Sequence, residues 1–187
     1  MSGDTAPLSR HGRLLIAAPA LEDPNFRRTV VLMLEHSPEG ALGLVLNRPT
    51  PLVSREALPS GLADLMPGEE RVFQGGPVQP EAVIVLADFE DASRAAAIAF
   101  GSVGIVNPDG DAAGHGGVRA IRAFGGYAGW GAGQLEQEIA EEAWVDAAAD
   151  AEDVFTDDHR GLWSRVLERK GGSWRLIARM PEDPSLN

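Results

Sequence analysis

Two apolar runs dominate the chain: Thr29 to Glu35 (TVVLMLE) and Ala41 to Leu46 (ALGLVL), separated by the turn-forming stretch SPEG. β-Branched and aliphatic residues in runs of this length predict strands, and the turn between them predicts a hairpin in the centre of a sheet. Leu14 to Ala18, stopped by Pro19, reads as a buried strand before it. Further strands are predicted over Arg71 to Gln74, Ala82 to Ala87, Val103 to Val106, Val118 to Phe124 and Trp144 to Ala148, with Trp174 to Ala178 as an edge strand. Helical spacing is clear in two places. A helix beginning near Ala132 puts Leu135 and Ile139 one turn apart, with Glu136 and Glu138 early enough to favour its dipole. Asp158 to Lys170 gathers Leu162, Trp163, Val166 and Leu167 on one apolar face, and Gly171 and Gly172 end it. Leu52 to Leu58 and Leu62 to Met66 suggest short helical turns among prolines, and Ser93 to Ala99 a short Ala-rich helix or irregular link. GGPVQP reads as a turn, GGYAGWGAG as a Gly-rich connection from strand to helix, and Asn107 to Gly117 (NPDGDAAGHGG) as a flexible loop.

Strands joined mostly by turns, with few helices, favour an α/β (α+β) fold built on a large mixed β-sheet with packed helices over a doubly wound parallel sheet. At 187 residues the chain suits one domain, expected over residues 13–180, with residues 1–12 and 181–187 as tails. Hydrophobic residues make up 44% and charged residues 24%, as in ordinary globular proteins. No apolar run is long enough for a membrane span, and residues 1–13 lack the apolar stretch of a secretory signal, so a cytoplasmic protein is expected. With no Cys, thiol nucleophiles, disulfides and Cys-ligated metal are excluded. The formal charge of -12 opposes polyanion binding, which relies on Lys and Arg displacing condensed counterions. Fifteen Arg against the single Lys170 make individual arginines the better candidates for bidentate anion contacts.

Signatures of established chemistry are missing: GxxxxGK[ST], HExxH, GxSxG and a correctly spaced GxGxxG do not occur. Gly129, Gly131 and Gly133 precede a helix, but Glu136 stands where the third fingerprint glycine belongs and would oppose an anion. His11, His36, His115 and His159 are scattered without ligand spacing, so neither a metal nor a cofactor is assigned. Asp157-Asp158-His159 combines acid and base types, yet Asp at a helix start is chiefly a cap. The polar ends of the hairpin offer the main candidates. Asn25, Phe26 and Arg28 precede the second strand, Asn47 and Arg48 follow the third, and a hairpin sets those ends side by side. One reading is a recognition surface with Arg48 holding an anion and Phe26 forming an apolar wall. The other has Asn25 and Asn47 tying down turns while Arg28 or Arg48 pairs with Glu136 or Glu138. Tyr127 and Trp130, set among glycines, either line a ligand slot or cap the core.

Four segments in order, GRLLIAAPALEDPNFRRTVVLMLEH, GALGLVLNRP, VFQGGPV and GYAGWGAGQLEQEI followed by Trp144, resemble the YqgE/AlgH family. The chain departs from the family pattern at LADF, where similar proteins often carry a histidine. The resemblance implies a large mixed sheet, a cytosolic location and, in one branch, a role in transcriptional regulation. It points to a non-enzymatic regulatory or interaction protein with an unknown protein or small-molecule partner. The expected ligand or peptide site then comprises Asn25, Phe26, Arg28, Asn47, Arg48, Gly76, Pro77 and Trp130, with no catalytic residue and no metal ligand assigned. An enzyme, hydrolase or transferase, would instead join Arg48 to Glu136 or Glu138. A DNA-binding regulator would need a basic stripe from arginines such as Arg119, Arg122, Arg165 and Arg169.

Overall fold

The computed structural model describes residues 8–109 and 117–182. A ten-stranded sheet carries the fold, and its main path runs β10-β1-β2-β3-β9-β6-β8-β7. β1 (Arg13–Ala17), β2 (Val30–Ser37) and β3 (Gly40–Val45) form the antiparallel centre expected from the apolar runs, with a bulge in β2 between Met33 and Glu35. β10 (Trp144–Ala148) closes one edge against β1. β6 (Val78–Phe89), β7 (Ala97–Phe100), β8 (Val103–Ile105) and β9 (Val118–Gly131) continue the sheet on the other side of β3. The sheet is mixed because β5 (Arg71–Gln74) runs parallel to β9 while also pairing with β4 (Pro49–Val53).

The unbroken apolar character of β2 follows from burial on both faces. Val30, Leu32 and Leu34 enter one core with Trp163, Val166 and Leu167 of α5 (Leu162–Lys170). Val31 and Met33 enter another with Trp130, Trp144 and Leu135 of α3 (Gln134–Ala140). Opposite-facing neighbours along a strand make this division automatic. A third cluster, with Leu58, Leu62, Met66 and Phe89, sits under the short helices α1 (Ser54–Ala57) and α2 (Ser60–Ala63).

Four expectations are corrected. The Gly-rich segment after Phe124 is no connection: β9 continues through it to Gly131, and GGPVQP runs into the start of β6 rather than forming a free turn. Gly76 lies so close to β9 that a Cβ there would fall 2.1 Å from the Tyr127 carbonyl carbon, and a Cβ on Gly126 would fall 2.5 Å from the Gly76 oxygen. The glycines permit backbones to approach, a sheet role that composition alone mistakes for a loop. Trp174 to Ala178 is not an edge strand but helix α6 (Trp174–Ile177). Gly171 and Gly172, with φ of 80° and 61°, turn the chain back so that Trp174, Ile177 and Ala178 pack on the α5 core at helical spacing. The 3-10 turn Ala92–Arg94 and then β7 stand in place of the short Ala-rich helix or irregular link expected over Ser93 to Ala99. Helix α4 (Ala151–Phe155) is additional, started by a capping box in which Asp150 and Asp153 satisfy each other's backbone. The expected loop between Asn107 and Gly117 lies largely outside the described residues, as do residues 1–7 and 183–187 of the expected tails. No helix among the described residues is long and apolar enough to cross a membrane.

Candidate functional site

The site begins where the chain enters the hairpin. Asp23 winds the approach: its carbonyl accepts the N–H of Phe26 (2.9 Å) and of Arg27 (2.7 Å), and its carboxylate accepts the N–H of Asn25 at 2.8 Å. The Phe26 carbonyl then accepts both the N–H and the hydroxyl of Thr29, at 3.0 and 2.7 Å. The wound turn ends on Arg28 with φ of 55°, a left-handed conformation that costs a non-glycine residue roughly 1–3 kcal/mol. Asn47 holds it there. Its side-chain oxygen accepts the Val30 N–H at 3.0 Å, and its amide donates to the Arg28 carbonyl at 2.9 Å. The structural role foreseen for Asn47 is therefore present, while Asn25 is exposed and Arg28 and Arg48 do not pair with Glu136 or Glu138.

Released in this direction, Arg28 lays its guanidinium 4.0 Å from the ring centroid of Trp163, whose indole N–H is fixed on the Ala17 carbonyl at 2.8 Å. Arg27, Arg28, Asn47, Arg48, His159, Arg160, Trp163 and Glu182 line one cleft of about 640 Å³. The arginines are held by backbone oxygens rather than by acids. Arg27 donates to the Glu182 carbonyl at 2.6 Å, Arg28 to those of Met180 (3.1 Å) and Pro181 (3.3 Å), and Arg48 to that of Arg27 at 2.8 Å. Arg160 is exposed and makes no hydrogen bond or ion pair among the described residues. Burial pushes the Arg28 guanidinium below its ordinary pKa; Glu182 pulls it back up, and neighbouring Arg27 adds to the lowering. His159 donates from Nδ1 to the Asp157 carbonyl at 3.0 Å, since a carbonyl can only accept, and stands edge-on to Phe73.

Elsewhere, several arginines meet carboxylates, while Lys170 donates to the Asp146 carbonyl at 2.7 Å. Arg119 pairs with Asp88, Arg122 with Glu70, Arg165 with Asp158 and Arg169 with Asp153, so these four are tied individually instead of forming a basic stripe. Arg10 and Arg13 converge on Asp146. Asp158 also accepts the Gly161 N–H at 3.0 Å, which closes the turn before α5 instead of capping the helix itself, whose N-cap is Gly161, and leaves His159 and Arg160 in the turn that opens into the cleft.

Of the eight residues anticipated, the structure brings Arg28, Asn47 and Arg48 into this cleft and distributes the others. Phe26 turns to the opposite face, with its ring centroid 6.2 Å from that of Trp130 and 5.7 Å from that of Trp144. Both indole N–H groups donate to one oxygen of Glu138, at 2.9 and 2.8 Å. Glu136 accepts from His36 Nε2 at 2.7 Å, and His36 Nδ1 in turn accepts the Arg10 N–H at 2.9 Å, which fixes the tautomer. Its own backbone N–H, followed by the His36 bond, holds the Glu136 carboxyl below its ordinary pKa. Neither Glu136 nor Glu138 lines the cleft with Arg48. Gly76 is buried against β9 and Pro77 is exposed beside it. No group of three or more His, Asp or Glu suited to a metal occurs among the described residues. Sequence reasoning missed Arg27, His159, Arg160 and Glu182 as partners of Arg48; the Arg27-Arg28 doublet was the available signal.

A family model described as "DUF179: AlgH-like" matches residues 14–175. A UPF0301 protein of Streptomyces coelicolor is 44% identical, with 100% of both chains covered, and one of Chlorobium limicola is 39% identical over 95% of this chain and 96% of its own. A crystal structure of protein DIP2367 from Corynebacterium diphtheriae superposes with a TM-score of 0.82 at 27% identity, covering 90% of this chain and 91% of that one. The solution structure of the AlgH protein from Pseudomonas aeruginosa gives 0.67 at 30% identity, covering 96% and 98%.

Proposed function

The chain belongs to the AlgH-like family, and from that premise we propose that it is a cytoplasmic, non-enzymatic interaction or regulatory protein whose arginine-lined cleft recognises a negatively charged ligand. One observation carries the reading. Arg27, Arg28, Arg48 and Arg160 share a cleft in which no carboxylate among the described residues makes an ion pair with them, in a chain whose formal charge is -12. Carboxylates are plentiful, and the arginines elsewhere that reach them show that such pairing is available to this chain. Crowded guanidinium groups repel one another, and an anion placed between them relieves that repulsion while accepting bidentate hydrogen bonds. Arg160 makes no hydrogen bond or ion pair among the described residues, so its guanidinium is open to an anion.

The reading is non-enzymatic because the carboxylates considered as acid or base beside Arg48 have other occupations: Glu136 holds His36, and Glu138 holds two indoles. Thermal-shift titration with phosphate, pyrophosphate and citrate tests the proposal, since a ligand of the native state raises its melting temperature. At least one anion is expected to stabilise the protein, with the shift diminished in Arg48→Ala and Arg160→Ala and weakened by added salt. Equal shifts in the parent and both variants, or no shift at all, would remove the cleft as an anion site.

A further inference from the structure

The cleft already holds a piece of the chain itself. Met180, Pro181 and Glu182 follow α6 outside any helix or strand, and their three successive carbonyls accept from Arg28, Arg28 and Arg27. Glu182 also lines the cleft, and its charge acts on the Arg28 guanidinium. Successive backbone carbonyls spaced along a chain are a feature of peptides, whereas a small anion presents its oxygens around one centre. Arg48 and Arg160 stand in the same cleft with no ion pair to a carboxylate among the described residues, which leaves capacity for acidic side chains beyond the one that Glu182 supplies.

Resting on the anion-binding reading above, we infer that the cleft takes an acidic peptide, bound through its backbone carbonyls and its carboxylates, and that Met180–Glu182 occupies the place of that peptide in the free protein. The internal occupant is lightly held. Met180 is 46% exposed, and Pro181 and Glu182 are exposed as well, so little apolar surface secures them. Besides the Met180 N–H bond to the Ile177 carbonyl at 3.0 Å, which continues α6, the segment is held by its carbonyl contacts to Arg27 and Arg28, and an incoming peptide can replace each of those in kind. The segment therefore acts as a competitor in cis: apparent affinity for an external peptide falls by the fraction of molecules in which the cleft is free.

Fluorescence anisotropy with a labelled peptide of the chain's own final eight residues, MPEDPSLN, provides the test. The full chain is compared with a chain ending at Arg179 and with full-length Glu182→Gln, which keeps the backbone segment but removes its carboxylate. Binding is expected to be at least about fivefold tighter to the shortened chain than to the full chain, a ratio in the range of one net hydrogen bond. Glu182→Gln is expected to bind with intermediate affinity, and it keeps the test decisive should the shortened chain fail to fold. Arg27→Ala with Arg28→Ala should abolish binding, and the neutralised peptide MPQNPSLN should bind more weakly. Equal peptide affinity for all three proteins, or binding that survives loss of both arginines, would overturn the inference. If pyrophosphate still stabilises the protein while the shortened chain and Glu182→Gln bind no peptide, the peptide assignment falls and the anion site stands. If neither ligand binds, both readings fall together.

Discussion

On the α3 side of the β2–β3 hairpin, polar and aromatic groups are matched: Glu138 accepts from Trp130 and Trp144, Glu136 from His36, and Phe26 packs against both indoles, which also meet each other. On the α5 side, two residues further along the same turn, Arg28 covers Trp163 in a cleft where Arg27, Arg28 and Arg48 bond backbone oxygens, Arg160 bonds none, and no carboxylate among the described residues closes an ion pair. One side uses its polar groups to satisfy buried donors and so contributes stability. The other retains positive charge that no ion pair among the described residues neutralises, although Glu182 lines the same cleft and acts on Arg28. Buried polar groups without partners are costly, so a closed network marks structure, while uncompensated like charge held at a cleft marks a binding surface.

This contrast is open to attack on each side. The largest effect is expected from Glu138→Leu, which strands two indole N–H groups on residues that are only 6% and 4% exposed. A loss of about 2–4 kcal/mol in denaturant unfolding is expected, with anion-induced stabilisation intact. Asn47→Ala removes both the Val30 and Arg28 bonds and the support for a left-handed residue. It should cost about 1–3 kcal/mol and weaken anion binding as well, because Asn47 belongs to the hairpin and aims the cleft; unchanged anion affinity would show that Arg28 needs no such support.

A smaller effect separates the sides by pH. Because the folded Glu136 carboxyl lies below its ordinary pKa, its contribution is present above the unfolded value near 4.3 and is lost as pH falls through the lowered folded value. The difference in melting temperature between the parent and Glu136→Gln should therefore narrow from pH 6 towards pH 3. A gap independent of pH would mean that the His36 contact does not depend on the charge. The smallest stability change belongs to Arg160→Gln, expected within about 0.5 kcal/mol of the parent, although the same substitution should reduce anion-induced stabilisation. Substantial destabilisation would move Arg160 from the binding side of the comparison to the structural one.

Much of the fold was legible because its signals are local. The apolar runs around Leu32 and Leu44 declared a hairpin, Trp144 to Ala148 a strand, and Leu162 to Leu167 an amphipathic helix, each through spacing within a few residues. Misreadings arose where a distant partner decided the conformation. β9 persists through Gly125, Gly126 and Gly129 because Gly75 and Gly76 press against it from another segment. Trp174 to Ile177 is helical because α5 offers a surface at helical spacing after a glycine reversal.

The candidate site was legible in part, for the same reason. NFRR and NRP were visible as polar ends of one hairpin, and adjacency of those ends follows from the turn. What lay beyond local spacing was direction. Phe26 and Arg28 are two residues apart in a tight turn, and the left-handed φ of Arg28, fixed by Asn47 from the neighbouring strand, sends their side chains to opposite faces. The partners of Arg28 and Arg48, namely His159, Arg160 and Glu182, arrive from more than a hundred residues later through the packing of α5 and α6 on the sheet. Local patterning thus determined the strands, the hairpin and the identity of its polar ends, because side-chain periodicity and turn chemistry act over a few residues. The tertiary structure alone decided which of those ends face a shared cleft, because that depends on which distant surfaces bury against each side of the sheet.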